Sequence, residues 1–149
     1  MQFDTNNPVI QLCMKGMEME NPVEAKALFS EAWDRAANDF EKFTAAHYLA
    51  RQQPTTAEKL KWDETALSFA LKIDDGSMLQ SYPSLYLNIG KCYEDENDFE
   101  AARKNYRLAL SYAGHLPGNG YGQMIKAGIE NGLERVIGEY PAGDIKNDG

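Results

Sequence analysis

The sequence is short of positive charge. Its 15 Lys and Arg stand against 23 Asp and Glu, a net charge of −8. Phosphate backbones and anionic membrane surfaces are held by clustered Lys and Arg, so neither nucleic acid nor a membrane is an expected partner. Long apolar runs are also missing. No stretch approaches the roughly 20 residues that span a bilayer, and the amino terminus, MQFDTNN, is polar and acidic where a secretory leader is basic and then apolar. A cytoplasmic protein is expected. There are only two cysteines, Cys13 and Cys92, far apart and without metal-ligand spacing. They read as reduced packing residues rather than as a disulfide or metal site. Period-2 alternation of useful length is absent too, which removes half-buried strands and leaves an all-α chain.

What is present suffices for a core. A 43% hydrophobic content in 149 residues supports one domain without a metal or disulfide staple. Helix starts are marked by capping chemistry: Asn21-Pro22-Val-Glu24, Thr55-Thr-Ala-Glu58 and Asn97-Asp-Phe-Glu100 each put a cap three residues ahead of an acid that complements the helix dipole.

The chain also repeats itself. Tyr86-Leu-Asn-Ile89-Gly90-Lys-Cys-Tyr93 is followed, after a polar turn, by Ala102-Arg-Lys-Asn-Tyr106-Arg-Leu-Ala109. Near the amino terminus, Val9, Leu12, Cys13 and Gly16 precede Ala25-Lys-Ala-Leu-Phe29-Ser-Glu-Ala32 in the same order. This pattern resembles the tetratricopeptide repeat (TPR) family, whose unit of about 34 residues is a pair of antiparallel helices. The resemblance implies an α-α superhelix of about three TPR-like hairpins, at residues 6–39, 40–73 and 83–116, with residues 74–82 as an insertion. The middle copy is the most divergent. Phe43, Ala46, His47, Ala50 and Ala66 hold its signature positions, but Lys59 replaces an alanine and Asp63 stands where the others have Phe29 or Tyr106. Its second helix is therefore expected to rotate and bury Leu60, Trp62 and Phe69 instead.

After the last copy, Met124, Ile125, Ile129, Leu133, Val136, Ile137 and Tyr140 form a helical stripe. It reads as a capping helix over residues 119–140, covering the apolar face that a last repeat leaves open. Gly128 and Gly132 on that stripe fit a tight helix crossing better than a membrane pairing motif. The stretch Pro117-Gly-Asn-Gly120-Tyr-Gly122 lacks the preceding strand and the Gly-Lys-Ser/Thr ending of a phosphate loop, so it reads as a turn. The last nine residues, PAGDIKNDG, read as a frayed tail.

In the family the first helices line a concave surface. Carried onto this chain, that implies a groove of Ile10, Met14 and Met17, then Tyr48, Arg51 and Gln52, then Leu87, Asn88 and Lys91. Arg51 and Lys91 would read an acidic peptide or a terminal carboxylate, with Asn88 pairing to its backbone. Ile10 and Met14 depart from the polar clamp that some members use. Ordinary solvated helix faces would look the same in sequence. The function implied is a protein-interaction scaffold for a peptide or protein partner, without catalytic, cofactor or metal residues. Self-association as a homodimer is the structural alternative.

His47 fills a slot that the family keeps small. It is either a core histidine hydrogen-bonded in place or a ligand-orienting group beside Tyr48 and Arg51. A catalytic alternative would use His47 as general base and Arg51 as anion holder, but no nucleophile, metal or cofactor motif accompanies them. His115, at the end of the third copy, suits a helix carboxy terminus.

Overall fold

The computed structural model describes residues 4–139. Among them are seven α-helices and one 3-10 turn, with no strand. The helices pack as sequential pairs in two compact units, Met1–Met78 and Leu79–Gly149. No helix of the described residues is long and apolar enough to cross a membrane. Tyr140 and the tail expected to fray lie outside the described residues.

The first unit holds α1 (Pro8–Glu18), α2 (Pro22–Arg35), α3 (Asp39–Arg51) and α4 (Thr56–Leu71). Each start is built by a side chain that satisfies amides left free in the first turn. Asn7 Oδ1 accepts from the amides of Val9 and Ile10, Asn21 Oδ1 from Val23 and Glu24, Asn38 Oδ1 from Glu41, and Thr55 Oγ1 from Glu58. The Asn-Pro start at Asn7-Pro8 repeats the one at Asn21-Pro22.

Helix α1 pairs with α2 and α3 with α4, and α3 also lies against α2 and α1. Val9, Cys13, Ala25, Phe29, Ala32, Ala45 and Leu49 form the shared core. The Phe29 ring comes so close to Gly16 that a Cβ there would sit 2.5 Å from it. Phe29 also stacks on Tyr48, centroids 5.3 Å apart. Trp33 meets Trp62 and Phe69 edge-on at 5.0 and 5.9 Å, and Lys42 lies over the Trp33 ring. These contacts tie α2 to α3 and α4.

The middle pair does not rotate. Leu60, Trp62 and Phe69 are only half-buried, while Asp63 is fully buried in the register position of Phe29 and Tyr106. Ala66 is likewise buried in the position of Ala32 and Ala109. An ion pair to Arg51 holds Asp63 there, so the helix keeps its register without an aromatic knob. After α4, Gly76 turns the chain at φ 86° and Asp75 Oδ1 accepts from the Ser77 amide and hydroxyl.

The second unit holds α5 (Tyr82–Asp95), α6 (Phe99–Ser111), the 3-10 turn Ala113–His115 and α7 (Gly120–Glu139). Helix α6 is capped by Asp98, whose carboxylate accepts from the Ala101 amide. The expected cap, Asn97, instead takes the left-handed conformation, φ 63°, that closes the turn before it. Helix α7 packs on α6 and α5. Its buried stripe is Ile125, Ile129, Gly132 and Val136, with Leu133 half-buried. Met124 and Ile137, expected on that stripe, are 61% and 52% exposed. The close crossing expected from the glycines is present. Cβ atoms at Gly90 and Gly132 would each lie 2.7 Å from the Tyr106 ring, and one at Gly128 would lie 3.1 Å from Leu87. At the start of α7, Asn119 Oδ1 accepts from the Gly122 amide, and a Cβ at Gly122 would overlap the Pro117 carbonyl oxygen. Of the glycine-rich stretch expected to be a turn, residues 117–119 form it and Gly120–Gly122 already belong to the first turn of α7. Cys13 and Cys92 are both buried and not joined in a disulfide, and burial raises the Cys13 thiol to about 11.

Alanine favours a helix over glycine by about 1 kcal/mol, whereas overpacking a core costs about 1–3 kcal/mol. Gly132→Ala should therefore lower the stability of the second unit by about 1–2 kcal/mol in urea unfolding. Gly114→Ala, where a Cβ meets nothing within 4 Å, should change it by less than about 0.5 kcal/mol. A Gly132→Ala protein as stable as the parent would show that the Tyr106 clamp is loose.

Candidate functional site

The turn between α1 and α2 and the end of α3 enclose an open pocket of about 360 Å³. Its floor and walls are mostly apolar: Met17, Met19, Pro22, Ala25 and Phe29 from the first pair, and Tyr48 from α3. The Phe29–Tyr48 stack fixes the floor, and Gly16 leaves room for it. Glu20, Arg51 and Gln52 supply the polar groups. At this size the pocket sits at the small end of ligand sites, with space for a large side chain.

Of the nine residues expected to form a groove, Met17, Tyr48, Arg51 and Gln52 come together here. Met14 is exposed on α1 but does not line the pocket. Ile10 is a correction. At 1% exposure it is one of the largest fully buried side chains, so it offers no surface to a partner. Its place in the register was read as outward-facing, but α1 packs on both α2 and α3 and so buries more than one face.

Arg51 does not stand free. Its Nη2 donates to both oxygens of Asp63, at 2.5 and 2.6 Å, with Asp63 fully buried and the arginine side chain 37% exposed. A buried carboxylate needs such a partner because desolvation alone costs several kcal/mol. Arg51 is thus a structural counter-ion first, and only its remaining donors are available to a ligand.

His47 lies one turn before Arg51. Its ring packs against Phe43 and Tyr48, with centroids 6.2 and 5.2 Å apart. Nδ1 is buried without a hydrogen-bond partner among the described residues. Packing therefore holds this imidazole, where a hydrogen bond at the ring was the expectation. Burial first, and the charge of Arg51 second, push its pKa down to about 4. It is neutral at pH 7, and it does not line the pocket.

In the second unit, Leu87, Asn88 and Lys91 all lie on α5. Leu87 is packed by α7 at Gly128 and belongs to the unit's core clusters. The capping helix thus takes part of its surface and leaves it half-buried. Asn88 is half-buried, and exposed Lys91 pairs with Asp95 one turn along, at 2.5 Å. Both cations expected to read an acidic ligand thus already hold a carboxylate of this chain, Arg51 in a buried pair and Lys91 in an exposed one.

Two polar links escaped the sequence reading. Tyr106 donates to Glu94 Oε1 at 2.6 Å, and Arg135 on α7 grips both oxygens of Glu94 at 2.9 and 3.1 Å. Burial alone would raise the Glu94 pKa, but the hydrogen bonds from Arg135 and Tyr106 hold it below its ordinary value. Glu94 and Tyr106 stand where Arg51 and Asp63 stand in the preceding pair, a correspondence visible in sequence once the register is known. Glu41, buried on α3, accepts from Asn7 Nδ2 and from the Ala37 amide, both at 2.8 Å. Burial opposes its charge, but these bonds outweigh it and its pKa falls.

Comparison of the chain with family models, with curated proteins and with solved structures found no match.

Removing Arg51 leaves a buried charge, so Arg51→Ala should cost about 2–4 kcal/mol at pH 7, with Arg51→Ala/Asp63→Leu recovering most of it. Lys91→Ala, which breaks only an exposed pair, should cost under about 0.5 kcal/mol. Both tryptophans lie in the first unit, so their fluorescence reads the first measurement directly; a mild Arg51→Ala would show that Asp63 does not depend on it.

The His47 shift sets a pH dependence. Its folded value is depressed from 6.5 to about 4, so between these values the unfolded chain binds a proton that the folded chain refuses. The associated stability is complete above pH 6.5 and is lost as pH falls to 4, up to about 3 kcal/mol. His47→Gln should flatten the unfolding curve of the first unit over that window. Equal slopes for the two proteins would refute the assignment.

Proposed function

We propose that this chain is a TPR-like interaction module whose partner site is the pocket of its first unit. One observation carries the reading. Met17, Tyr48, Arg51 and Gln52, which the family resemblance assigns to a ligand-facing surface, line one open, largely apolar pocket. Open apolar hollows with a few polar groups at the edge are where side chains of a partner dock. Recognition rests on the methionine and aromatic lining rather than on Arg51 and Lys91, because Asp63 and Asp95 already occupy those cations. The expected acidic or carboxy-terminal ligand thereby loses its principal readers.

Met17 is 57% exposed, so replacing it leaves the core intact while changing the rim. Tagged wild-type protein and Met17→Arg should be compared by affinity capture from the native cell extract, and each captured protein then titrated in purified form. A partner whose affinity falls at least about tenfold with Met17→Arg is expected. Identical binding to both proteins, or recovery of the chain alone, would overturn the pocket as partner site.

A further inference from the structure

The pocket's surroundings carry a charge that its lining does not neutralise. Glu20 is part of the wall, and Glu18 and Glu24 are exposed within four residues of it. None of the three is ion-paired among the described residues. The single cation of the lining, Arg51, is balanced by buried Asp63. Lys15 and Lys26 lie on the same two helices, outside the lining as Glu18 and Glu24 are, and offset part of this charge without reversing its sign. An apolar hollow with unpaired carboxylates beside it is complementary to one kind of ligand.

We propose that the pocket receives a large apolar side chain from a basic peptide segment. Met17, Met19 and the Phe29–Tyr48 stack would hold the apolar anchor, and Glu18, Glu20 and Glu24 would face its Lys or Arg flanks. This rests on the interaction-site reading above and fixes the chemistry of the partner. The methionines suit the role because their unbranched, polarisable side chains fit anchors of several shapes. Met17 is free to move, since more than half its surface is open. An acidic segment would meet Glu20 and no unpaired cation in the lining, with Glu18 and Glu24 exposed nearby, so repulsion disfavours it. Steering by the acidic rim adds to the on-rate and weakens with salt, whereas the apolar anchor does not.

The test uses the full chain and three labelled peptides of about a dozen residues, followed by fluorescence anisotropy. The first carries a central Leu-Phe anchor flanked by lysines, the second replaces the lysines with glutamates, and the third keeps the lysines but replaces the anchor with serines. The first should bind at least about tenfold more tightly than either other. Met17→Ser should weaken it about fivefold or more. Glu18→Lys/Glu20→Lys should weaken it several-fold and flatten its salt dependence, while the matched change Glu130→Lys/Glu134→Lys on α7 should do neither.

Preference for the glutamate peptide, lost with Met17→Ser, would overturn the basic partner while leaving the docking pocket standing. Equal binding of the anchorless peptide, or equal loss in the α7 variant, would reduce the effect to diffuse attraction and overturn the proposal. No binding by any peptide would overturn the proposal and count against the interaction site beneath it. A wild-type dimer that Met17→Ser dissolves would assign the pocket to a second copy, and would overturn the proposal too.

Discussion

The first and last helical pairs each depend on one contact, in which a bulky side chain from one helix enters a place its partner leaves small. Phe29 presses into Gly16, and Tyr106 lies between Gly90 and Gly132. Close packing makes such a contact sensitive to a single methyl group, because the ring has nowhere to retreat. The neighbouring features follow from it. Phe29, fixed against Gly16, presents a face on which Tyr48 stacks, and that stack is the pocket floor. Tyr106, clamped on two sides, delivers its hydroxyl to Glu94 and so gives Arg135 a charge to hold α7 in place.

The middle pair lacks such a contact. His47, the larger residue, occupies the first-helix position where Gly90 stands, and Asp63, the smaller, stands for Tyr106. A carboxylate thus enters the core in place of a ring, and the imidazole, packed against Phe43 and Tyr48 of its own helix, keeps a nitrogen without a partner among the described residues. Arg51 offsets the first of these costs. That requirement is why a residue expected to face a ligand turns toward its own helix pair, and why the pocket beside it is lined mainly by apolar surface.

Much of the fold was legible in the chain. Caps at Asn21 and Thr55 marked real helix starts because the cap bonds only to amides two or three residues away, a local geometry that needs no tertiary help. The buried alanines Ala32, Ala66 and Ala109 and the glycines of α7 were readable because close helix crossings admit only small residues. The register of α4 was misread because propensity and polarity argue against burying an aspartate, and its counter-ion is supplied from another helix. Met124 and Ile137 were misplaced for a related reason. A helical stripe marks a face about 100° wide or more, but the width that is covered depends on what packs there.

By itself the sequence determined the all-α class, the pairing of helices and most of their boundaries, since these follow from periodicity, caps and turns acting over a few residues. Tertiary structure alone decided which of the outward-facing candidates stay available. Ile10 was taken by a second helix face, Leu87 in part by α7 and Arg51 largely by Asp63, while Lys91 sits in an exposed pair with Asp95; Met17, Tyr48 and Gln52 line the pocket with the spare donors of Arg51. The physical reason is that exposure and charge balance are properties of neighbours brought together by packing, and neighbours distant in sequence leave no local trace in it.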